Sequence, residues 1–320
     1  MLSERYSRQE LLAEIGKEGQ KVLRNKTVAI IGIGALGTVS SELLARAGIG
    51  NLILIDRDII EESNLQRQTL FAEEDIGKSK TDAAKKQLIK INSAINIASH
   101  PIHFNPKNTS LLENADLILD CADNLSARFL INDYCKKNKL PWIYAAVIKT
   151  SGQIMPILPE GPCLSCFVKE TQTETCSAAG VLNSAVSSIS ALQTSLAIKI
   201  LLGKEVLPKL YHYDVWKPEL KILSIKKNKE CPACKGEYIY LNKEIKPNLI
   251  RFCSSGKYQI DGTPKDFIPL KNKLELFGRV EIDEDILKFK NNLLFKDGRA
   301  IMRADSEEEA RESYAKYFEN

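Results

Sequence analysis

The chain has 320 residues, of which 44% are hydrophobic and 27% are charged. This balance is typical of a soluble protein with one large core and a smaller second one, and it argues against disorder. The formal net charge of +4 is small for this length, so the composition offers no case for nucleic-acid or membrane binding. The N-terminal stretch MLSERYSRQELL is charged and lacks the apolar core of a signal peptide, which favours a cytoplasmic location.

The first predicted elements form a βαβ unit. A helix over 9–23 precedes a strand over 28–31, the glycine turn GIGALG, a second helix and a second strand that ends at Asp56. The glycines of the turn are Gly32, Gly34 and Gly37. In such units backbone amides face phosphate at the helix N-terminus, and an acid about twenty residues later binds a ribose hydroxyl. The unit therefore predicts nucleotide binding, with a tight strand-helix connection as the alternative.

A polar segment follows, where a dehydrogenase would begin its next element. Arg67 can form forked contacts with phosphate oxygens, and Lys80 can place a compact charge near developing negative charge. Two such cations suit a triphosphate, although each residue taken alone is also compatible with a solvated surface charge. The polar side chains of the segment are Asp58, Asn64, Arg67, Gln68 and Lys80.

The alternation of helices and strands continues and predicts an α/β fold with a doubly wound, Rossmann-like sheet. The further elements are a helix over 81–92, strands over 95–104 and 115–124, a helix over 127–138 and a strand over 141–147. Ligands of such sheets bind at the carboxyl ends of the strands, which gathers the glycine turn, Asp56, Asp58 and Asp123 in one cleft. Asp123 can then hold Mg²⁺, which prefers carboxylate and phosphate oxygens.

An uncharged segment over 177–198 is long enough to resemble a membrane span. Nine of its residues are Ser, Asn, Gln or Thr, so we interpret it as a buried helix. The sequence therefore predicts no association with a membrane.

Four of the eight cysteines form two CxxC pairs, Cys163 with Cys166 in CLSC and Cys231 with Cys234 in CPAC. In a reducing compartment two such pairs predict a tetrahedral thiolate zinc site, because each pair directs two sulfurs at one ion. Four thiolates leave no open coordination position, so the predicted role is structural. A redox CxxC motif is the alternative, although neither pair opens a helix directly after a strand.

The C-terminal region, 241–320, carries 15 basic and 15 acidic residues. Short strands over 256–260, 293–298 and 299–304, the last two joined at an Asp-Gly turn, precede a helix with Ser306 as its N-cap. We expect two domains, 1–240 and 241–320, the second a small α+β module with a structural or carrier-docking role. Cys253, in RFCSSGK, raises the alternative of a sulfurtransferase site.

The motifs RYSRQ, GIGALG, DRDIIEESNLQRQTLF, GKSK and DCADN, with the paired CxxC motifs, resemble the ThiF, MoeB and HesA family of adenylyltransferases, relatives of the ubiquitin-activating enzymes. The resemblance covers about 4–240. It implies that ATP and Mg²⁺ activate the C-terminal Gly-Gly carboxylate of a small ubiquitin-like sulfur-carrier protein, with release of pyrophosphate. A nicotinamide-dependent oxidoreductase, a noncatalytic nucleotide-binding scaffold and a zinc-ribbon nucleic-acid module are the competing classes.

The resemblance also implies roles for individual residues. Asp56 becomes the ribose ligand and Asp123 the magnesium ligand, with Asn124 beside it. Arg8 resembles an arginine that reaches into the ATP site of a partner subunit, which implies a homodimer. The residues implied to line the ATP site are Gly32, Gly34, Gly37, Asp58, Asn64, Arg67, Gln68 and Lys80. Those implied to hold structural zinc are Cys163, Cys166, Cys231 and Cys234.

Cys176, in TETCSAAGV, falls where some family members have a cysteine that forms a thioester or a persulfide-linked intermediate with the carrier. A solvated loop thiol is the alternative. The resemblance also implies a sulfur-donor protein as a partner, because several relatives complete adenylation without such a cysteine and pass the adenylate to a separate sulfur donor.

Overall fold

The computed structural model describes residues 4–169, 179–243, 250–251, 256–260, 262–283, 286–296 and 298–319. The chain divides into two units, Met1–Lys243 and Glu244–Asn320. The first unit carries a large mixed sheet and the second a small antiparallel one.

Eight strands form the sheet of the first unit. They are β1 (Thr27–Ile31), β2 (Asn51–Ile55), β3 (Asn96–His100), β4 (Leu117–Asp120), β5 (Trp142–Ile148), β6 (Ser151–Ile157), β7 (Lys209–Asp214) and β8 (Glu219–Ser224). Their order is β3-β2-β1-β4-β5-β6-β7-β8. The strands from β3 to β5 pair in parallel, and β6, β7 and β8 are added antiparallel. The central strands are nearly continuous apolar runs, as expected of strands covered on both faces.

Helices cover this sheet. They are α1 (Ser7–Glu10), α2 (Gly16–Arg24), α3 (Ala35–Ala47), α4 (Lys80–Ile91), α5 (Leu125–Asn138), α6 (Asn183–Leu201) and α7 (Pro232–Lys235). Short 3₁₀ turns lie at Glu4–Tyr6, Glu62–Asn64, Glu73–Asp75, Pro106–Leu112 and Leu164–Cys166.

Alternate residues of β1 show how the two faces are filled. Val28 and Ile30 belong to one core with α3, α4 and α6, whereas Ala29 and Ile31 belong to a second core with α5. This division follows from the two-residue period of a strand. The predicted doubly wound α/β fold is therefore confirmed.

The helix predicted over 9–23 is wrong, because the structure has two helices there, α1 and α2. Gly16, which begins α2, has a φ of 63°, a left-handed conformation that interrupts a right-handed helix. Leu11 and Leu12, which gave the segment its apolar pattern, are exposed.

The segment interpreted as a buried helix contains α6, which is long and apolar enough to cross a membrane by length and composition. It packs on α3, β5 and β6, with Val186, Ile189 and Ala197 buried in the core. The interpretation as a core helix is confirmed for 183–198 of that segment.

In the described residues of the second unit there are six strands and two helices. They are β9 (Ile250–Arg251), β10 (Lys257–Ile260), α8 (Phe267–Leu274), β11 (Val280–Asp283), β12 (Ile286–Phe289), β13 (Asn292–Phe295), β14 (Ala300–Arg303) and α9 (Glu307–Phe318). The strand order is β11-β12-β13-β14-β10-β9. The Oγ of Ser306 accepts a hydrogen bond from the backbone N–H of Glu309 at 3.2 Å, so the predicted N-cap is confirmed. Asp297 of the predicted Asp-Gly turn lies outside the described residues, as does Cys253.

Candidate nucleotide site and cysteine cluster

The glycine turn joins β1 to α3 and depends on its glycines for two different reasons. Gly32 has a φ of 94°, and a Cβ there would overlap the carbonyl oxygen of Cys121. A Cβ at Gly37 would overlap the carbonyl oxygen of Gly32. At Gly34 the nearest atom to a Cβ would be Nε2 of Gln68, 3.9 Å away. Two glycines thus allow close packing, and the third leaves the space in front of the turn open for a ligand.

Asp56 follows β2 and ties that strand to the glycine turn. Its Oδ2 accepts a hydrogen bond from the backbone N–H of Ile33 at 2.6 Å, and its Oδ1 accepts one from the N–H of Asp58 at 2.8 Å. Burial raises the pKa of Asp56 above its ordinary value, against the opposing attraction of the Lys80 ammonium. A carboxylate has about four lone-pair positions, so Asp56 retains acceptor capacity for a ribose hydroxyl.

Lys80 is a buried cation at the first position of α4, with only 6% of the residue exposed. Its Nζ lies 3.1 Å from Oδ2 of Asp58, and its N–H donates to the carbonyl oxygen of Asp58 at 3.0 Å. Burial lowers the pKa of Lys80, but the nearby Asp58, Asp56 and Asp123 outweigh it and raise that pKa overall. Lys80 therefore stays charged, and in the cleft its ammonium interacts electrostatically with Asp56, Asp58 and Asp123.

The polar segment after β2 folds as a compact turn beside the glycines. Asn64 is buried, and its Oδ1 accepts a hydrogen bond from the N–H of Glu61 at 3.2 Å. Gln68 is buried next to Gly34, and its Oε1 has no hydrogen-bond partner among the described residues. Arg67 is half-buried and donates from Nη1 to the carbonyl oxygen of Ser63 at 2.8 Å. Gln68 thus offers an open acceptor at the turn, and the guanidinium of Arg67 has donors beyond the one that Ser63 accepts.

Asp123 and Asn124 lie in the loop between β4 and α5 and differ in their contacts and exposure. Asn124 is the N-cap of α5, where its Oδ1 accepts a hydrogen bond from the N–H of Ala127 at 2.9 Å. Its Nδ2 donates to Oδ1 of Asp123 at 3.1 Å. Asp123 is exposed. Asn124 therefore orients the acid, and the acid presents its carboxylate to whatever enters the cleft.

The structure adds a residue of the cleft that the sequence did not reveal, Arg128. Its Nη2 donates to the carbonyl oxygens of Ala122 at 2.7 Å and Ala145 at 3.2 Å. Its guanidinium lies 5.1 Å from the ring centroid of Tyr144. Arg128 thus fixes the loop that carries Asp123 to the middle of β5.

Gln193 is a second residue near the cleft that the sequence did not reveal. This buried residue of α6 donates from Nε2 to the carbonyl oxygens of Asp120 at 3.1 Å and Ile143 at 3.3 Å. Its Oε1 accepts a hydrogen bond from Oγ of Ser40 at 3.0 Å. One side chain therefore joins α3, β4, β5 and α6 behind the glycine turn.

Arg8 does not lie in the cleft of its own chain. Gln9, its neighbour on α1, donates to the carbonyl oxygen of Ala47 at 2.9 Å, and Tyr6 accepts a hydrogen bond from Asn92 at 2.8 Å. Ala47 and Asn92 mark the ends of α3 and α4, which lie at the opposite end of the strands from the glycine turn. Arg8 itself is exposed there. Cys176 lies outside the described residues.

The two CxxC pairs come together away from the cleft. The Sγ of Cys163 lies 3.8 Å from that of Cys166, 3.4 Å from that of Cys231 and 3.6 Å from that of Cys234. All four sulfurs lie within 4.8 Å of one another. Four thiolates about 2.3 Å from a tetrahedral zinc ion are separated by about 3.8 Å, so this arrangement fits zinc.

Helix α5 supports the cysteine cluster. Its buried Asn132 accepts a hydrogen bond from the N–H of Leu164 at 2.9 Å, and Asp133 accepts one from the N–H of Tyr240 at 2.8 Å. The N–H of Asn228 also points at Sγ of Cys166 at 3.4 Å, which lowers the pKa of that thiol against the raising effect of its burial. Such outer contacts orient metal ligands.

The model of the ThiF family matches residues 6–233. The sulfur carrier protein ThiS adenylyltransferase of Bacillus subtilis is 34% identical over 95% of both chains. The molybdopterin-synthase adenylyltransferase of Escherichia coli is 35% identical over 72% of this chain and 95% of its own. The crystal structure of E. coli MccB with ATP matches with a TM-score of 0.64 and 26% identity, over 72% of this chain and 74% of that one. This chain therefore belongs to the ThiF family and is an adenylyltransferase.

Proposed function

We propose that the protein adenylates the C-terminal Gly-Gly carboxylate of a small ubiquitin-like sulfur-carrier protein, using ATP and Mg²⁺ and releasing pyrophosphate. The observation that carries this proposal is the buried, charged Lys80 beside a glycine turn that is open at Gly34. The similarity to the ThiS adenylyltransferase over nearly the whole chain supports the substrate class. On this proposal 1–240 forms the catalytic domain, and the enzyme acts in the cytoplasm.

The residues of the cleft can divide the work of binding ATP. The glycine turn and the N-terminus of α3 present backbone amides to the phosphates, and Asp56 accepts a hydrogen bond from the ribose. The positive charges of Lys80 and Arg67 bind the phosphate oxygens of ATP. Asp58 holds Lys80, and Asn64 and Gln68 complete the wall beside the turn.

The reaction needs little covalent help from the protein. An oxygen of the carrier carboxylate attacks the α-phosphorus, and the bond from that phosphorus to the pyrophosphate oxygen breaks. Orientation of the two reactants and stabilisation of the developing charge suffice for such a step. Asp123, with Asn124 beside it, is the residue that would hold Mg²⁺, which neutralises phosphate oxygens when bound.

A homodimer completes the proposed site. Arg8 is exposed at the end of the strands remote from its own cleft, which supports a role in the cleft of a second chain rather than in its own. The donor set and spacing of Cys163, Cys166, Cys231 and Cys234 further support a structural zinc ion in each chain.

Cys176 is the residue to which we assign the step after adenylation. We propose that its thiolate attacks the acyl-adenylate carbonyl, expelling AMP and leaving a thioester. Hydrosulfide supplied by a sulfur-donor protein then attacks the thioester carbonyl, which forms the carrier thiocarboxylate and releases the Cys176 thiolate. On this hypothesis Cys176→Ala retains ATP–pyrophosphate exchange and loses carrier thiolation. Equal rates for the variant and the native enzyme in both assays would dismiss the covalent role.

The test of the proposed function is carrier-dependent ATP–pyrophosphate exchange with a panel of small proteins ending in Gly-Gly. One carrier should support exchange, and Asp123→Ala should abolish it. Lys80→Met should lower the exchange rate by about 100-fold or more, as expected for loss of a preorganised charge at the reacting centre. Lys78→Met is the matched control, because Lys78 pairs with Asp75 at 3.1 Å and is half exposed. Tight ATP binding with no exchange for any carrier would instead indicate a noncatalytic nucleotide-binding scaffold.

A further inference from the structure

The second unit carries a groove on one face of its sheet. Leu287, Phe289 and Met302 point to the face covered by α8 and α9, so the residues between them in each strand point to the other face. A groove of about 420 Å³ lies on that other face. The charged residues lining it are Lys257, Arg279, Glu281, Lys288, Lys290 and Arg303. We call this the cationic groove.

Charge is segregated onto this face. The region 241–320 has equal numbers of basic and acidic residues, 15 of each, yet the described lining of the groove has five cations and one acid. The ammonium of one cation, Lys290, donates to Oη of Tyr317 on α9 at 2.9 Å, so the other four carry the charge of the groove. The acid, Glu281, already pairs with Arg279 at 3.0 Å. The groove therefore keeps an excess of positive charge.

Two of the cations are direct cross-strand neighbours. Lys257 on β10 lies opposite Arg303 on β14 in the antiparallel register, so both side chains leave the sheet on the same side. Like charges directly opposite one another destabilise a sheet. A bound anion between them would offset that repulsion.

The shape of the groove fits an extended polypeptide. Its lining runs from β11 across to β10, which is four strand spacings or about 19 Å, the length of about six extended residues. Leu293 and Ile301, which are cross-strand partners, form an apolar floor between the cations. A single phosphate would span only a fraction of this distance.

The chemistry of the lining also separates a polypeptide from a nucleic acid. Proteins that bind single strands stack the bases on aromatic side chains. The described residues that line the groove include no aromatic side chain. The combination of spread cations and an aliphatic floor favours acidic side chains at alternate positions of an extended chain.

We propose that the cationic groove of the second unit binds an acidic, extended segment of a partner polypeptide. Acidic side chains of the segment pair with Lys257, Lys288 and Arg303, and its aliphatic atoms rest on Leu293 and Ile301. This interaction surface is separate in sequence from the adenylation residues, all of which precede Lys243.

The test uses the full-length protein and a fluorescein-labelled peptide of about ten residues with Glu and Ser alternating, which exceeds the about six residues that span the groove. Fluorescence anisotropy at low ionic strength should show saturable binding. Lys288→Glu combined with Arg303→Glu should raise the dissociation constant at least about tenfold. The matched control is Lys271→Glu combined with Arg311→Glu, which changes the net charge equally but lies on α8 and α9. This control should bind the peptide as the native chain does.

Three outcomes would overturn the proposal: no binding by the native chain, equal losses in both double variants, or tighter binding of an oligothymidine of about the same length. Thermal unfolding of both double variants is the control for folding, and both should unfold at about the temperature of the native chain. The measurement needs neither ATP nor a carrier protein, so it stands whether or not the proposed adenylation is found.

Discussion

The guanidinium Nε of Arg128 lies 3.5 Å from Oδ2 of Asp120, and both side chains are almost wholly buried. Asp120 ends β4, and Arg128 lies in the second turn of α5, so the pair closes the loop that carries Asp123. The second carboxylate oxygen of Asp120 accepts a hydrogen bond from the N–H of Ala122 at 3.0 Å. A buried ion pair thus fixes the loop on which the proposed magnesium ligand lies.

Removal of the cation from this pair should be costly. Arg128→Met should lower the free energy of unfolding by about 3–5 kcal/mol, because it leaves the buried carboxylate of Asp120 uncompensated. Urea unfolding followed by circular dichroism measures this change. The double variant Asp120→Asn with Arg128→Met should recover much of the loss, since no buried charge remains. If the double variant is less stable than Arg128→Met, the pair is not the source of the effect.

The same carboxyl group predicts a pH dependence of stability. Burial raises the pKa of Asp120 from 3.8 to about 6, despite the opposing Arg128. Between these values the folded chain holds more protons than the unfolded chain, so stability from this group falls as pH rises from about 4 to 6 and then levels off. Over about two units the loss is about 3 kcal/mol. The difference in unfolding free energy between the native chain and Asp120→Asn should follow this course, and a difference independent of pH would contradict it.

The glycine turn predicts that two Gly→Ala changes act differently. Gly34→Ala has room for its methyl group and should keep the thermal midpoint within a few degrees while weakening ATP binding at least about tenfold, because the methyl group occupies the ligand space. Gly37→Ala places its methyl group on the carbonyl oxygen of Gly32 and should lower the midpoint markedly. Calorimetric titration with ATP and thermal unfolding of both variants provide the measurements. Unaltered ATP affinity in Gly34→Ala would remove the turn from the proposed site.

The exposed position of Arg8 predicts complementation between inactive subunits. Arg8→Ala and Asp123→Ala should each abolish carrier-dependent exchange when pure. If Arg8 acts in the partner's cleft, a mixture refolded or exchanged to equilibrium should regain about a quarter of native activity, because half the dimers are mixed and each has one intact site. No recovery, with mixed dimers demonstrated by native mass spectrometry, would contradict a role of Arg8 in the partner's cleft.

The cysteine cluster predicts a metal content that one substitution removes. The purified chain should carry about one zinc ion, and Cys231→Ser should carry none, because a tetrahedral site loses one of its four thiolates. Cys135→Ser is the matched control, since Cys135 is also buried but lies outside the cluster. Elemental analysis by plasma mass spectrometry distinguishes the two. A stable native chain free of zinc would rule the site out.

The parallel half of the large sheet could be predicted from the sequence because local patterns determine it. Apolar runs such as VAII and LILI, with glycine and helical signals between them, identify β1 and β2 without knowledge of distant residues. The antiparallel strands β6, β7 and β8 were not predicted. Their pairing depends on partners far along the chain, and every residue of β8 is exposed, so no buried face leaves a pattern in its sequence.

The candidate site shows the same division. Asp56, Lys80 and Asp123 belong to local motifs and could be predicted from them, whereas Arg128 and Gln193 act through carbonyl groups of other elements. A single arginine or glutamine inside a helix resembles an ordinary surface residue, since helical periodicity does not report what its side chain meets. The long helix predicted over 9–23 was wrong for a related reason: composition favours a helix there, but a single left-handed glycine divides it.

Helix α5 has a consequence for how enzyme kinetics of this protein should be interpreted. Its N-cap, Asn124, contacts Asp123, and Asn132 and Asp133, about 13 Å further along, hold the segments around the cysteine cluster. Substitution of a clustered cysteine can therefore displace Asp123, which lies at the N-terminal end of the same helix. Slow turnover by a variant of a clustered cysteine would therefore not identify that cysteine as a nucleophile. Only trapping of a covalent adduct by mass spectrometry separates a chemical role from misalignment transmitted along the helix.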